Sequence, residues 1–182
     1  MALNINYAFI AGLEGGQHLT GYVPDAAGSR SGVTIATGFD IGQRSKMDLS
    51  WLLPGYIASL LSPYCGLTGE AATRAVADSP LVINASDAQV IDLCTKARTT
   101  ELLIQRFDRA AITPFEQLPE PAQTVIASVA YQYGDLASRC PRFWHFATTL
   151  CYADMVRELR NFGDRYPSRR RQEADYLERG YG

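Results

Sequence analysis

One stretch of this chain limits its fold more than any other: SGVTIATGFDIG, Ser31 to Gly42, where apolar residues alternate with small and polar ones. Side chains on a strand point alternately to its two faces, so Val33, Ile35, Thr37, Phe39 and Ile41 share one face and Thr34, Ala36, Gly38 and Asp40 the other. That second face is predicted to be small, open and polar. Fully extended, six residues at roughly 3.3 Å each would hold Thr34 and Asp40 about 20 Å apart. The middle of the stretch permits a reversal instead, a three-residue loop over Ala36-Thr37-Gly38 with the glycine in the left-handed region. Folded that way, Ile35 faces Phe39 and Thr34 faces Asp40, with Cβ atoms about 5 Å apart. A hydroxyl and a carboxylate at that separation can hold one water between them. An ordinary hairpin with a solvent-facing polar pair fits the same letters.

The rest of the chain has to bury what this small hairpin cannot. With 182 residues, 47% hydrophobic and 20% charged, it is of single-domain size. A net charge of −2 gives no electrostatic reason to expect nucleic acid or an anionic membrane as partner. No run approaches the ~20 apolar residues a membrane helix needs, and the start MALNINYAFIAGLEGG lacks the basic region and cleavage site of a secretory signal. The expectation is a soluble chain made in the cytoplasm. Cys65, Cys94, Cys140 and Cys151 form no C-x-x-C pair and have only His18 and His145 to help them. No metal site and no cofactor is expected, and the thiols read as buried small apolar groups; one disulfide stays open if the protein works outside the cytoplasm.

Asn4 to Glu14 carries Ile5, Phe9, Ile10 and Leu13 at helical spacing and stops at Gly15-Gly16, which predicts a short amphipathic helix. Its last residue breaks a rule. Helix C-termini favour cations because their last carbonyls carry partial negative charge, yet Glu14 sits there. A partly buried carboxylate in that position is disfavoured relative to the neutral acid, which suits a proton donor; a glutamate swinging into solvent from a frayed end is the plainer alternative.

From Leu19 to Gly42 the chain is turn-rich, and TGYVPD plus the hairpin predict a three-stranded antiparallel sheet. After Asp48 the signals are helical, over about Asp48–Leu61, Gly69–Ala77, Ser86–Ala110, Glu120–Tyr133, Phe143–Phe162 and Ser168–Arg179. Pro121 at the first turn and Gly134 at the stop frame the helix expected at the centre of the core. Internal repeats and the glycine-rich loops of nucleotide-binding proteins are absent, as is the G-x-S-x-G elbow of serine hydrolases. The architecture is α+β: a helix and small sheet over about residues 1–47, then a helical lobe over about 48–182, in one domain.

The blocks EGG, GYVP, SGVTIATGFDIGQ, YQYG and NFGDRYPSRRRQEADYL, from about Tyr7 to Leu177, resemble the pesticin-like lysozyme domain, a branch of the phage-type lysozyme superfamily used in bacterial toxins. The resemblance implies a lysozyme-like fold with the sheet beside a catalytic cleft. It also implies inverting hydrolysis of the β-1,4 bond between N-acetylmuramic acid and N-acetylglucosamine in peptidoglycan. Carried onto matching positions, its catalytic set is Glu14, Thr34 and Asp40, the three residues already singled out. In the better-known phage lysozymes the aspartate precedes the threonine, and Asp25 and Ser31 mimic that order at the same six-residue step; they lie in PDAAGSRSG, a loop poorly suited to fine positioning. The resemblance points to an antibacterial toxin or effector acting in a target cell's periplasm, with a phage endolysin and a non-catalytic wall-binding module as alternatives. Because peptidoglycan lies outside the membrane, a secretion apparatus such as type VI, a larger toxin or a phage would carry the chain there. A periplasmic immunity protein would protect the producer, and the chain is expected to be a monomer.

Tyr22, beside the sheet, is a candidate platform for a sugar ring, whereas Phe39, Tyr131 and Trp144 read as core. Gln132 offers an amide for the substrate's N-acetyl group, or a structural contact near its helix end. Arg169, Arg170 and Arg171 stand at the start of the last helix, the wrong end of its dipole for cations. They are expected to pair with Asp164, Glu173 or Asp175, and peptidoglycan's anionic peptide stems are the other partner open to them. His18 and His145 show no partner in the sequence.

Overall fold

A computed structural model of the chain describes residues 3–24 and 30–180. The first helix, α1 (Tyr7–Leu13), starts where Asn6 accepts the Phe9 amide on its side-chain oxygen at 2.9 Å, satisfying one of the donors a helix start leaves unpaired. Asn6 also donates its backbone amide to Thr124 Oγ1 and its side-chain nitrogen to the Tyr176 hydroxyl, both at 2.8 Å. Phe9 stacks on Tyr176 with ring centroids 4.0 Å apart, and Ile10 is fully buried. One residue therefore both begins the helix and fastens it to the last third of the chain.

The chain divides into two compact units, one made of residues 1–14 with 99–182 and the other of residues 15–98. In the second, three antiparallel strands lie in the order β1 (His18–Tyr22), β2 (Thr34–Ala36), β3 (Phe39–Asp40), the sheet the sequence predicts. Two helices follow, α2 (Lys46–Leu52) and α3 (Gly55–Leu61). Ser45 and Asp48 start α2 with a reciprocal capping box, which satisfies two backbone donors that a helix start leaves unpaired. A single helix over Asp48–Leu61 was expected. Leu53 instead takes an extended conformation, ψ 154°, because a residue before proline is kept out of the helical region. The unit is completed by α4 (Gly69–Asp78) and the start of α5 (Ala85–Ala110). Ile35, Phe39, Ile41, Leu49, Ile57, Leu61, Leu81 and Ile91 close its core, each contributing about 1.5–3 kcal/mol of burial.

The other unit is helical: α1, the rest of α5, α6 (Glu120–Tyr133), α7 (Leu136–Arg139), α8 (Pro141–Thr148), α9 (Tyr152–Arg160) and α10 (Pro167–Arg179). α6 spans the expected residues and is buried on all sides from Ala122 to Ala130, as a helix through the middle of a core must be. The helix expected over Phe143–Phe162 is broken in two. Leu150 adopts φ +59°, and the hydroxyls of Thr148 and Thr149 return to the carbonyls of Trp144 and His145, competing with the helix for its acceptors. Among the described residues no helix is long and apolar enough to cross a membrane. All four cysteines are free thiols. Only Cys140 is buried, and burial pushes its thiol up to about 11; Cys151 is exposed.

Candidate functional site

The hairpin folds in the register its six-residue spacing predicts, with Thr34 opposite Asp40 and Ile35 opposite Phe39. Gly38 takes the left-handed conformation at φ +84°, and so does Ala36 at φ +51°, which the sequence did not signal. On the other side of β2, Tyr22 is the partner of Thr34. Tyr22, Thr34 and Asp40 thus form one row across three strands, and opposed residues in antiparallel strands share a face. The face is less open than its small residues suggested: Thr34 is 3% exposed and Ala36 fully buried, while Asp40 stays partly accessible. The Tyr22 ring rests against His18, centroids 4.4 Å apart.

Backbone, not side chains, fixes Asp40. Its Oδ1 accepts the Gly42 amide at 2.9 Å and the Gly32 amide at 3.2 Å, and Oδ2 also lies 3.2 Å from the Gly32 amide. A Cβ on Gly32 would run into the Gly42 backbone, and one on Gly42 into the Leu67 carbonyl oxygen, so only glycine lets these amides approach the carboxylate. A carboxylate has about four lone-pair sites, and Oδ2 keeps free capacity. The Thr34 hydroxyl donates its proton to the Gly32 carbonyl at 3.2 Å; toward any further partner it can only accept. Two glycines flanking the hairpin ten residues apart were the available signal for this cradle.

Glu14 closes α1 as its C-cap, with φ −88°, ψ 153° and its amide donated to the Ala11 carbonyl at 3.2 Å. It is partly buried. The cation missing from this helix end in the sequence comes from α10: Arg169 donates from Nη1 to the Leu13 carbonyl at 3.5 Å. Arg169 is itself held by the Ser128 carbonyl at 3.2 Å, the Ser128 hydroxyl at 3.0 Å and Glu173 at 3.1 Å. Tyr131 lies near Glu14. Burial pushes its phenol above the ordinary value, the Thr100 hydrogen bond at 2.6 Å opposes this, and Tyr7 and the Glu14 charge push the same way as burial.

Gln132 presents one end of its amide only. Its Oε1 accepts a hydrogen bond from Arg170, so Nε2 is the atom it can offer elsewhere. Arg170 is 1% exposed and paired with Asp164 at 2.8 Å and with the fully buried Glu173, under the ring of Phe162 at 4.7 Å. Burial works against the Arg170 charge, but Glu173 and Asp164 more than offset it and hold its pKa above the ordinary value. Asp164 is pushed up by burial, yet hydrogen bonds from Arg170, Tyr133 and the Tyr166 amide leave it lowered. The arginine cluster thus pairs with Asp164 and Glu173, as expected of two of its members; Asp175 pairs with Arg160, and Arg171 bonds the Pro167 carbonyl. Of the rival pair, Asp25 lies outside the described residues and Ser31 is partly buried, its carbonyl accepting the Gly69 amide at 3.0 Å. Among the described residues no group of three or more His, Cys, Asp or Glu stands ready to hold a metal.

Residues 4–153 match the family model described as Pesticin, "Bacterial toxin homologue of phage lysozyme, C-term". No curated protein matches the chain.

Proposed function

The chain belongs to the pesticin family, the bacterial toxin homologues of phage lysozyme, and we propose that it is an antibacterial muramidase. It would cleave the β-1,4 bond between N-acetylmuramic acid and N-acetylglucosamine, inverting the anomeric carbon. The observation that carries the reading is the opposition of Thr34 and Asp40 on neighbouring strands, with Asp40 held by the Gly32 and Gly42 amides.

Donor and acceptor counting orients the attacking water. Thr34 directs its proton to Gly32, so a water beside it donates one hydrogen to Thr34 Oγ1 and the other to Asp40 Oδ2. Its lone pairs then face the sugar. The water oxygen bonds to the anomeric carbon as the glycosidic C–O bond breaks; Asp40 takes a proton from the water and Glu14 gives one to the departing oxygen. The Tyr22 ring supports a sugar face, and Gln132 Nε2 donates to an acetamido carbonyl. As a toxin, the protein would reach the target's wall as cargo of a secretion apparatus, a phage or a larger toxin, and a periplasmic immunity protein would guard the producer.

The test is mass spectrometry of soluble products from purified peptidoglycan, native protein against Glu14→Gln. Muropeptides ending in reducing N-acetylmuramic acid, released about 10²–10⁴-fold more slowly by the variant, support the assignment. Intact glycan with both proteins, despite binding to the sacculus, would make this a wall-binding module. Proton NMR of the first product decides the stereochemistry: an α-anomer means inversion, a β-anomer means retention with Asp40 as nucleophile.

A further inference from the structure

The turn between Thr34 and Asp40 contains a conformation that its sequence does not favour. Ala36 sits at φ +51°, a region that crowds Cβ against the backbone in any residue but glycine. Its methyl is fully buried in the core of the unit, which explains why the position carries a side chain at all, but not what keeps the backbone there.

What holds it comes from α5. Asp92 accepts the Thr37 amide at 3.1 Å on Oδ1 and the Thr37 hydroxyl at 2.8 Å on Oδ2, and Oδ2 also accepts Gln17 Nε2 at 2.7 Å. Asp92 stands on a rigid base, because its neighbours Ala88 and Ile91 are fully buried in the same core as Ile35 and Phe39. Thr37 is the residue directly after Ala36 and the middle of the three-residue loop. Its amide and its hydroxyl both donate to this one carboxylate, one to each oxygen.

We propose that Asp92 is a positioning residue of the catalytic hairpin: by gripping Thr37 at two atoms it holds Ala36 in the left-handed conformation and so keeps Thr34 opposite Asp40. The assignment of a role in turnover rests on the muramidase reading; the grip on the hairpin does not. If the strain at residue 36 is what the carboxylate opposes, a glycine there removes the need for it.

The experiment uses the full chain with Asp92→Ala, Ala36→Gly and the double variant. Steady-state kinetics on soluble, uncrosslinked peptidoglycan strands are paired with amide proton NMR of Gly32 and Gly42, whose N–H groups report the Asp40 carboxylate. Asp92→Ala is expected to lower kcat at least about tenfold with KM within about twofold, and to shift both glycine resonances. Ala36→Gly alone stays within about threefold of the native kcat, and added to Asp92→Ala it restores kcat to within about threefold of its own value, a coupling expected of residues acting through one turn. Unmoved glycine resonances in Asp92→Ala, an unchanged kcat, or a double variant no better than Asp92→Ala would each overturn the proposal. Should Asp92→Ala fail to fold, Asp92→Asn, which keeps one acceptor for the Thr37 amide and loses the one for its hydroxyl, must still move both glycine resonances from their native positions, and unmoved resonances overturn the grip. If the native protein releases no reducing ends, the muramidase reading fails and the resonances alone decide the grip.

Discussion

Glu173→Gln removes one charge from the most deeply buried ionic network of the chain while keeping its shape. Glu173 is fully buried and accepts the Ser128 hydroxyl at 2.5 Å, Arg169 at 3.1 Å and Arg170. The glutamine retains one acceptor oxygen and turns an NH₂ toward a guanidinium, donor against donor. At least one charge-assisted hydrogen bond is lost, about 1.5–3 kcal/mol, and Arg170, 1% exposed, is left with Asp164 as its remaining carboxylate. Removing one partner from a buried pair costs about 3–5 kcal/mol in total. That is a large share of the roughly 5–15 kcal/mol by which a folded domain is stable. At about 2–4 °C per kcal/mol for a chain of this size, the expected fall in Tm is on the order of 6–20 °C. Urea and thermal unfolding followed by circular dichroism measure it, with the urea m-value checking that the transition stays two-state. A loss under about 1 kcal/mol would refute the reasoning, by showing that the desolvation of these charges already cancels their attraction.

Asp40→Asn should keep its fold, since the amide oxygen still accepts from Gly32 and Gly42, yet lose activity about 10²-fold or more; near-native release of muropeptides would remove Asp40 from the role of base. The acid limb of stability should bear the mark of Asp164. Its pKa is lowered in the folded protein, so its contribution is complete above the unfolded-state value of about 3.9 and is lost as pH falls below that toward the folded value; a urea midpoint that falls no more steeply there in the native protein than in Asp164→Asn would contradict this. Exposed Cys151 should react first with a thiol reagent in the folded protein, and Cys140, buried and pushed up to about 11, only on unfolding. Mass mapping of the labelled peptides reads the order.

The hairpin was legible because its information is local: a six-residue step, a glycine at the third loop position and alternating side chains leave one register. α6 was legible for the same reason, with Pro121 and Gly134 marking both ends. The break at Pro54 was also written in the chain, and the helical pattern on either side concealed it. The break at Leu150 was not, since nothing in Thr148-Thr149-Leu150-Cys151 forbids a helix. At the site, residue types were readable and their supports were not. The grip on Thr37 comes from a residue 55 positions away, and the cation at the end of α1 from 156 positions away. No pattern along the chain encodes such pairs.

That separation along the chain sets an order of assembly. The unit of residues 15–98 is continuous and holds its own core, so it can close while the ribosome is still working. The other unit needs Asn6 to meet Thr124 and Tyr176, 118 and 170 positions away, and must wait for α10 to emerge. Until then α1 can meet α6 through Thr124 but lacks its stacking partner Tyr176 and the Arg169 cation at its C-terminal end. On the muramidase reading proposed above, a copy cut before α10 would lack the Arg169 contact at the end of α1 and with it a seated proton donor in Glu14.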